Sequence, residues 1–341
     1  MKEPLADITT RILQSSGIDQ EIEAVRRLSA FYSRFVSGGQ SHAQQEKGNE
    51  VLLRGGIALS SYDAAICLDE FIRTARFLKG THLALRELLK RFPGQKLNIL
   101  YAGCGPYATL ILPLLPLFSP DQLDVLLLDI NQDSLHSVAS IISAAGLKEY
   151  TIAMQQADAI RYQSPESRPL HLIVSETMFY ALIREPQVSI TQNLAPQLQQ
   201  GGILIPEEIN LDLVYTFHGE EPYLKSTDPY PTGLPYEHRV HAGNLFSITK
   251  ELDFYRTNHS PGIFESGLYE LPSDFSATPD LCIHTHLRIF GEVILHSAES
   301  SITNPYCVAS LYNLQEYTHV GLIYDFNDLP QWTYKAKGQK I

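Results

Sequence analysis

The sequence predicts an α/β fold, in which a doubly wound parallel sheet follows a helical segment and precedes an antiparallel, β-barrel-like domain. Before residue 97, apolar residues recur at the helical spacing of three and four. From there to residue 206, short apolar runs alternate with helical stretches, as in a parallel sheet. Farther on, alternating and β-branched runs replace the helical period. We therefore expect three parts, which cover residues 1–96, 97–206 and 207–341.

The first part is expected to be helical. Residues 18–36 carry apolar side chains at helical spacing, and a polar stretch follows at residues 38–48. Ser60 is a candidate N-cap for a helix that reaches about residue 79. A further helix is expected over residues 81–92, where Pro93 and a glycine stop it.

The middle part supplies the expected parallel sheet. Its apolar runs are of the kind that a sheet buries on both faces, and prolines, Asn131 and Gly146 bound the helical stretches. The expected strands cover residues 97–102, 125–128, 150–155, 170–175 and 203–205, and the expected helices cover residues 108–118, 131–145 and 187–199.

The last part is expected to form an antiparallel sheet or barrel, because turn-forming clusters separate its β-rich runs. A stretch rich in proline and tyrosine, residues 220–238, is expected to be a long excursion from that sheet. The expected strands cover residues 210–217, 281–296, 307–314 and 319–326.

Composition excludes several classes of protein. The chain has 341 residues, of which 44% are hydrophobic and 19% are charged, so a large core is favoured over disorder. The formal net charge of −12 disfavours a nucleic-acid binder, which normally carries a basic face. No apolar run approaches the ~20 residues that span a bilayer. The four cysteines show no CxxC spacing, and we see no signal peptide, so we expect a reduced, cytoplasmic protein.

A glycine turn follows the first strand of the middle part. Gly103 and Gly105 allow a ligand to approach the backbone closely. Asp129 ends the next strand, where an acidic residue can hold both hydroxyls of a ribose. Asp158 ends the third strand region, where an adenine ring would lie. The pattern predicts a nucleotide-like cofactor, and the alternative is an ordinary α/β turn with two incidental aspartates.

The stretch SETMFYALIRE at residues 175–185 is the most informative in the chain. Glu176 follows a strand and Glu185 is returned by a turn, so the two carboxylates can face each other across a pocket. Such a pair suits a planar guanidinium, which forms parallel N–H···O bonds with carboxylates. Together with the glycine turn, this predicts methyl transfer to an arginine-like nitrogen. The alternative is a chance pair of surface glutamates.

These motifs carry a resemblance to a known family. LNILYAGCGP, LLLDIN and QQADAI resemble the successive cofactor motifs of class I S-adenosylmethionine-dependent methyltransferases. SETMFYALIRE resembles the double-glutamate loop of protein arginine methyltransferases, and GGILIP and the helix LDEFIRT fit the same family. The resemblance covers roughly residues 60–215, and it implies a Rossmann-like cofactor domain followed by a β-barrel.

The resemblance implies S-adenosylmethionine as the cofactor and a role for each residue around it. Gly103 and Gly105 would form the turn beneath it. Asp129 would hold its ribose, Asp158 would contact its adenine, and Arg73 would pair with its carboxylate.

The same resemblance implies that Glu176 and Glu185 clamp the guanidinium of the acceptor. Arginine has a pKa above ~12 and is a poor nucleophile. The clamp would draw its positive charge away from one nitrogen and hold that nitrogen in line for attack. No metal is needed. The substrate would be an arginine-containing protein, a peptide or a small molecule.

Two departures from the family pattern leave alternatives open. The third glycine of the turn is replaced by Tyr107, which would either cover the cofactor or block it. The Thr-His-Trp loop of the family has only incomplete counterparts at Thr285-His286-Leu287 and Thr318-His319-Val320, and the one tryptophan is Trp332. A small-molecule methyltransferase, another S-adenosylmethionine-using enzyme and a non-catalytic cofactor-binding protein therefore stay open.

Two further interpretations concern the last part. The family implies a homodimer formed through an arm in the barrel, and residues 220–238 are the candidate arm. Cys282, His284 and His286 share one face of a strand, but without a partner cluster they are not expected to bind metal.

Overall fold

The computed structural model describes residues 2–36, 50–225, 237–251 and 261–339. The polar stretch at residues 38–48 and most of the predicted excursion at residues 220–238 lie outside the described residues. None of the helices in the described ranges has the length and apolarity that crossing a membrane requires.

The secondary structure follows the predicted order of a helical segment, an α/β part and a β-rich part. The helices are α1 (Lys2–Gln14), α2 (Ile18–Val36), α3 (Ser61–Ile66), α4 (Phe71–Arg91), α5 (Gln132–Ala145), α6 (Gln187–Leu194) and α7 (Pro222–Lys225). The strands are β1 (Val51–Leu53), β2 (Gly56–Ala58), β3 (Leu97–Ala102), β4 (Leu123–Asp129), β5 (Thr151–Gln156), β6 (Leu170–Ser175), β7 (Leu198–Ile205), β8 (Glu208–Thr216), β9 (Val240–Ile248), β10 (Ile263–Glu265), β11 (Tyr269–Glu270), β12 (Asp280–Phe290), β13 (Val293–Leu295), β14 (Tyr306–Ser310), β15 (Tyr317–Asp325) and β16 (Gln331–Gln339).

The predicted parallel sheet is confirmed, and its strand order places the site. The order is β5-β4-β3-β6-β7, and all neighbouring strands are parallel. Counted along the sheet this is 3-2-1-4-5, the order of a doubly wound fold, which binds ligands where the order reverses, outside the carboxyl ends of the strands. That point lies between β3 and β6. The glycine turn after β3 and Glu176 after β6 therefore come together.

The helical segment packs on this sheet and on the β-rich part. Helix α4 contacts α2, β6, β7 and β12. The buried Glu21 of α2 pairs with Arg76 at 3.0 Å and with Lys79 at 2.5 Å, both on α4. These ion pairs fix α2 to the face of α4 that reaches the β-rich part, where Arg76 also donates to Ile294 O at 2.9 Å.

The predicted break between residues 79 and 81 is wrong, because α4 runs through Gly80 without interruption. Ser60 does cap a helix, since its hydroxyl accepts a hydrogen bond from Asp63 N at 3.1 Å, but that helix ends at Ile66. A Cβ on Gly80 would lie 2.4 Å from Ile289 Cγ2 of β12. Gly80 is therefore a packing residue and not a helix stop.

Three other helix predictions are corrected. Residues 108–118 form only a short 3-10 helix, Leu112–Leu117, because its prolines lack N–H donors. Asn131 precedes α5, but its amide donates to Leu59 O at 2.8 Å and does not cap the helix. The helix predicted at residues 187–199 ends at Leu194, and β7 begins at Leu198 with the glycine pair inside the strand.

The β-rich part consists of two antiparallel sheets that face each other. One has the order β13-β12-β8-β9 with β14 on β12, and the other has the order β10-β15-β11 with β16 on β15. Phe246 of the first sheet stacks on Trp332 of the second at 5.8 Å and lies 5.8 Å from Tyr324. The predicted barrel-like arrangement is confirmed.

The sequence reading did not identify the strands β1, β2, β9, β10, β11 and β16. The predicted domain boundaries stay predictions.

Candidate active site

A cavity of about 240 Å³ lies at the carboxyl ends of β3, β4 and β6. Every residue that the sequence assigns to a site borders it. These residues are Arg73, Gly103, Gly105, Asp129, Asp158, Glu176 and Glu185. The structure therefore brings the predicted cofactor residues and the two predicted clamp residues to one place, although their chemical roles stay predictions.

The glycine turn has a left-handed backbone conformation, which residues other than glycine disfavour. Gly103 and Gly105 have φ angles of 68° and 61°. A Cβ on Gly103 would lie 2.4 Å from Thr177 Cγ2, whereas a Cβ on Gly105 would have Ala64 Cβ at 3.6 Å as its nearest neighbour. Gly103 thus lets the turn approach the end of β6, whereas a Cβ on Gly105 would make only an ordinary van der Waals contact.

Asp129 is buried at the end of β4 and holds the glycine turn. Its Oδ2 accepts a hydrogen bond from Gly105 N at 2.8 Å, and its Oδ1 accepts one from Asn131 N at 2.8 Å. Burial raises the pKa of Asp129, while these backbone N–H groups act in the opposite direction. These hydrogen bonds hold the carboxylate at the edge of the cavity, which Asp129 borders.

Asp158 stands beside an apolar part of the cavity. Its Oδ1 accepts a hydrogen bond from Ile160 N at 2.9 Å. Ala159 and Ile190 border the cavity next to it. A carboxylate can accept a hydrogen bond from the amino group of a flat ring, and the apolar walls can pack against that ring.

Tyr107 neither covers nor blocks the cavity. Its ring stacks on Tyr32 of α2, with centroids 5.4 Å apart and planes 13° apart, and it is 5% exposed. It is not among the residues that border the described cavity. Tyr107, which replaces the third glycine of the turn, therefore packs against the helical segment.

Glu176 is held by Arg73, which the sequence assigns to a different partner. Arg73 Nη2 of α4 donates to Glu176 Oε2, and the side chains are 10% and 8% exposed. Within the part of the chain that the structure describes, Glu176 Oε1 is buried and has no hydrogen-bond partner. Glu176 thus has one oxygen paired and, among the described residues, one oxygen without a hydrogen-bond partner.

Glu185 reaches the cavity through an unusual backbone path. Ala181, Leu182 and Arg184 have φ angles of 51°, 57° and 68°, in the left-handed region that non-glycine residues disfavour. Glu185 is buried, and burial raises its pKa to about 7, while the charges of Arg73 and Arg184 oppose this shift. A carboxyl group with this pKa exchanges a proton near neutral pH.

The sequence reading missed the β1–β2 hairpin, which packs on the loop that carries Glu185. Ile57 N donates to Arg184 O at 2.8 Å, and a Cβ on Gly56 would lie 2.6 Å from the carbonyl carbon of Glu185. Leu53 and Ile57 border the cavity. The adjacent glycines at residues 55 and 56 were the available signal, since such a pair permits close contact between backbones.

The histidine-rich face of β12 carries no metal centre in the described ranges, where no group of three or more His, Cys, Asp or Glu side chains could hold an ion. His284 Nδ1 lies 3.0 Å from Ser297 Oγ, and burial lowers the pKa of His284 to about 3. Cys282 lies opposite Cys307 of β14, and all four cysteines are free.

Comparisons with known proteins agree with this architecture. No protein-family model matches the chain, and no curated protein matches it in sequence. Among solved structures it resembles the Trypanosoma brucei PRMT1 enzyme–prozyme heterotetrameric complex with AdoHcy, with a TM-score of 0.51 and 15% sequence identity. The match covers 80% of this chain and 92% of that chain. At this identity the likeness establishes the fold, a Rossmann-like parallel sheet followed by a barrel-like β domain.

Proposed function

We propose that this protein is an S-adenosylmethionine-dependent N-methyltransferase that acts on an arginine-like guanidinium or amine. One observation carries the proposal: Glu176 and Glu185 border the same cavity as the glycine turn and Asp129. The similar solved structure contains AdoHcy, which S-adenosylmethionine becomes when it gives up its methyl group. Its presence in a chain of the same fold supports the cofactor.

The residues present fit S-adenosylmethionine, which when bound supplies a methyl group on a positively charged sulfur. Gly103 and Gly105 border the cavity without side chains, and Asp129 borders it with a carboxylate suited to ribose hydroxyls. Asp158 is suited to an adenine amino group. Arg73 has five N–H donors, and its bond to Glu176 uses one of them, so it can also pair with the carboxylate of the cofactor.

The two glutamates are suited to an acceptor that arrives as a cation. Glu176 Oε1 is buried and unpaired among the described residues, and it can accept an N–H group of a guanidinium. The acceptor nitrogen must release one proton as it gains a methyl group. Glu185 is suited to take that proton, because its pKa of about 7 is close to neutral pH.

The first test is calorimetric titration with S-adenosylhomocysteine. Wild type should bind it, and Asp158→Asn and Asp129→Asn should weaken binding. Asp129→Asn also perturbs the bond to Gly105 N, so circular dichroism must verify that the turn variant is folded. If folded wild type binds no S-adenosylhomocysteine, the proposed cofactor is wrong.

The second test is methyl transfer to arginine peptides, free arginine and simple amines. Glu176→Gln and Glu185→Gln should each lower the rate at least about 100-fold, while Glu185→Gln leaves S-adenosylhomocysteine affinity within about threefold. Arginine methylation at the full rate in both variants would contradict the clamp. Transfer only to other small molecules would favour the alternative small-molecule methyltransferase.

A non-catalytic, cofactor-binding role is the second candidate function. The similar solved structure is an enzyme–prozyme complex, so chains of this fold occur in assemblies with unequal partners. Cofactor binding without transfer to any tested acceptor would favour this role.

A homodimer is part of the proposal. The buried Glu221 accepts hydrogen bonds from Arg239 and from Thr216 Oγ1, and the second of these is 3.0 Å long. The pair of Glu221 and Arg239 joins the two ends of the candidate arm. Light scattering should give twice the chain mass at micromolar concentration, and a monomer would contradict the dimer.

A further inference from the structure

The clamp loop, residues 176–185, has a shape that its own sequence does not favour. Ala181, Leu182 and Arg184 all have left-handed backbone conformations, and none of them is glycine. Such conformations cost free energy in L-residues and persist only where the surroundings impose them. The contacts that impose this shape therefore determine where Glu185 lies.

Three side chains of the barrel form hydrogen bonds with the backbone of the strained residues. Trp332 Nε1 donates to Ala181 O at 2.8 Å, and Tyr324 Oη donates to Leu182 O at 2.7 Å. Thr285 Oγ1 accepts a hydrogen bond from Ala181 N at 3.1 Å. All three bonds are buried, so loss of a donor would leave a backbone carbonyl without a partner.

The indole of Trp332 is itself fixed. Trp332 lies opposite Tyr324 in the β15–β16 pair, and their rings stack at 4.8 Å. Phe246 lies 5.8 Å from the indole, with planes 17° apart, and 5.8 Å from Tyr324, so the three rings form one cluster. The indole is packed in this aromatic cluster with its N–H group directed toward Ala181 O.

We propose that Trp332 is a positioning residue for the clamp: through Ala181 O it sets the place of Glu185 relative to Glu176. Trp332 does not border the described cavity, so it acts through the loop and not by touching a ligand. The proposal rests on the proposed function, because positioning matters only if the two glutamates hold an acceptor.

The test uses variants that remove one hydrogen bond and keep the ring. Trp332→Phe removes the indole N–H, and Tyr324→Phe removes the hydroxyl. The matched control is Tyr334→Phe, which removes a hydroxyl from a half-exposed ring on β16. Amide hydrogen exchange of residues 181–185 should rise at least about tenfold in the first two variants and stay unchanged in the control. Unchanged exchange in Trp332→Phe would overturn the structural part, whether or not the protein is active.

Kinetics separate positioning from general stability. Trp332→Phe should lower kcat by about 10- to 100-fold, while KM for S-adenosylmethionine stays within about twofold of wild type. In the Glu185→Gln background the same change should cause no further loss, since a residue that acts through Glu185 has nothing left to position. A full additional loss in the double variant, or wild-type kcat in Trp332→Phe, would overturn the proposal.

Failure of the proposed function gives a different result. In that case wild type itself transfers no methyl group to any guanidinium or amine, and kcat cannot be compared between the variants. The chain has a single tryptophan, so its indole fluorescence reports on the surroundings of Trp332. Acetyl-arginine amide with S-adenosylhomocysteine should shift the emission of wild type but not that of Glu185→Gln. No shift in a wild type that binds both probes would contradict coupling between Trp332 and the clamp.

Discussion

Arg73 on α4 donates a hydrogen bond to Glu176 at the end of β6, so a guanidinium of the chain itself already pairs with one of the two glutamates of the proposed clamp. The two side chains are 10% and 8% exposed, which makes the pair a buried one. A single-residue change would leave the other charge buried and unpaired, which is more costly than loss of the pair itself.

Arg73→Met should therefore destabilise the fold by about 3–5 kcal/mol, and the double change Arg73→Met with Glu176→Met should recover most of that loss. Urea denaturation of the variants measures both. The control is Arg27→Met, which removes an exposed pair with Glu23 and should cost at most about 1 kcal/mol. Equal losses for Arg73→Met and Arg27→Met would contradict the buried pair.

Glu185 should make stability fall as the pH rises toward neutrality. Its pKa is about 7 in the folded chain against an ordinary value of 4.5, so the folded state keeps a proton that the unfolded state has released. The contribution is complete below pH 4.5 and is lost as the pH rises through 7, by up to about 1.4 kcal/mol per unit. Glu185→Gln, which stays neutral, should therefore gain about 3 kcal/mol relative to wild type across this range. Denaturant titrations at both ends measure the gain, and parallel stability curves would contradict it.

His284 should act in the opposite direction at lower pH. Burial lowers its pKa from 6.5 to about 3, so the unfolded chain takes up a proton that the folded chain refuses. Its contribution is complete above pH 6.5 and is lost as the pH falls toward 3. Where the two ranges overlap, the slopes of His284 and Glu185 cancel. Relative to wild type, the stability of His284→Gln should fall and that of Glu185→Gln should rise with pH in this range, and denaturation of both variants tests this.

Gly103→Ala should abolish S-adenosylhomocysteine binding and lower the melting temperature, because the new Cβ would lie 2.4 Å from Thr177 Cγ2. Gly94→Ala is the matched control: Gly94 has a similar φ of 73° but no atom within 4 Å of the added Cβ. It should cost only the backbone term, about 1–2 kcal/mol. Thr177→Ser removes the colliding methyl group and should partly restore folding to Gly103→Ala. Calorimetry and thermal melts decide the outcome, and equal effects of the two alanines would show that the close contact is unimportant.

Local patterns were enough for much of the fold. The strands β3, β4, β5 and β6 fall within two residues of the predicted runs, because hydrophobic periodicity and turn residues act over a few positions. The glycine turn and the spacing of Glu176 and Glu185 could be recognised for the same reason, since each lies within a short stretch of sequence. Errors arose where a residue served a distant contact: Gly80 marks close packing on Ile289, although its sequence context is that of a helix stop.

The sequence by itself determined the order of the three parts, the parallel sheet and which side chains reach its carboxyl edge. Only the tertiary structure decided that Arg73 lies on Glu176, that Tyr107 stacks on Tyr32 and that Trp332 holds Ala181. The physical reason is the range of the interactions. Periodicity records which face of an element is buried, whereas each of these contacts joins residues far apart along the chain, and the partner is fixed only when the packed elements leave one geometry for it.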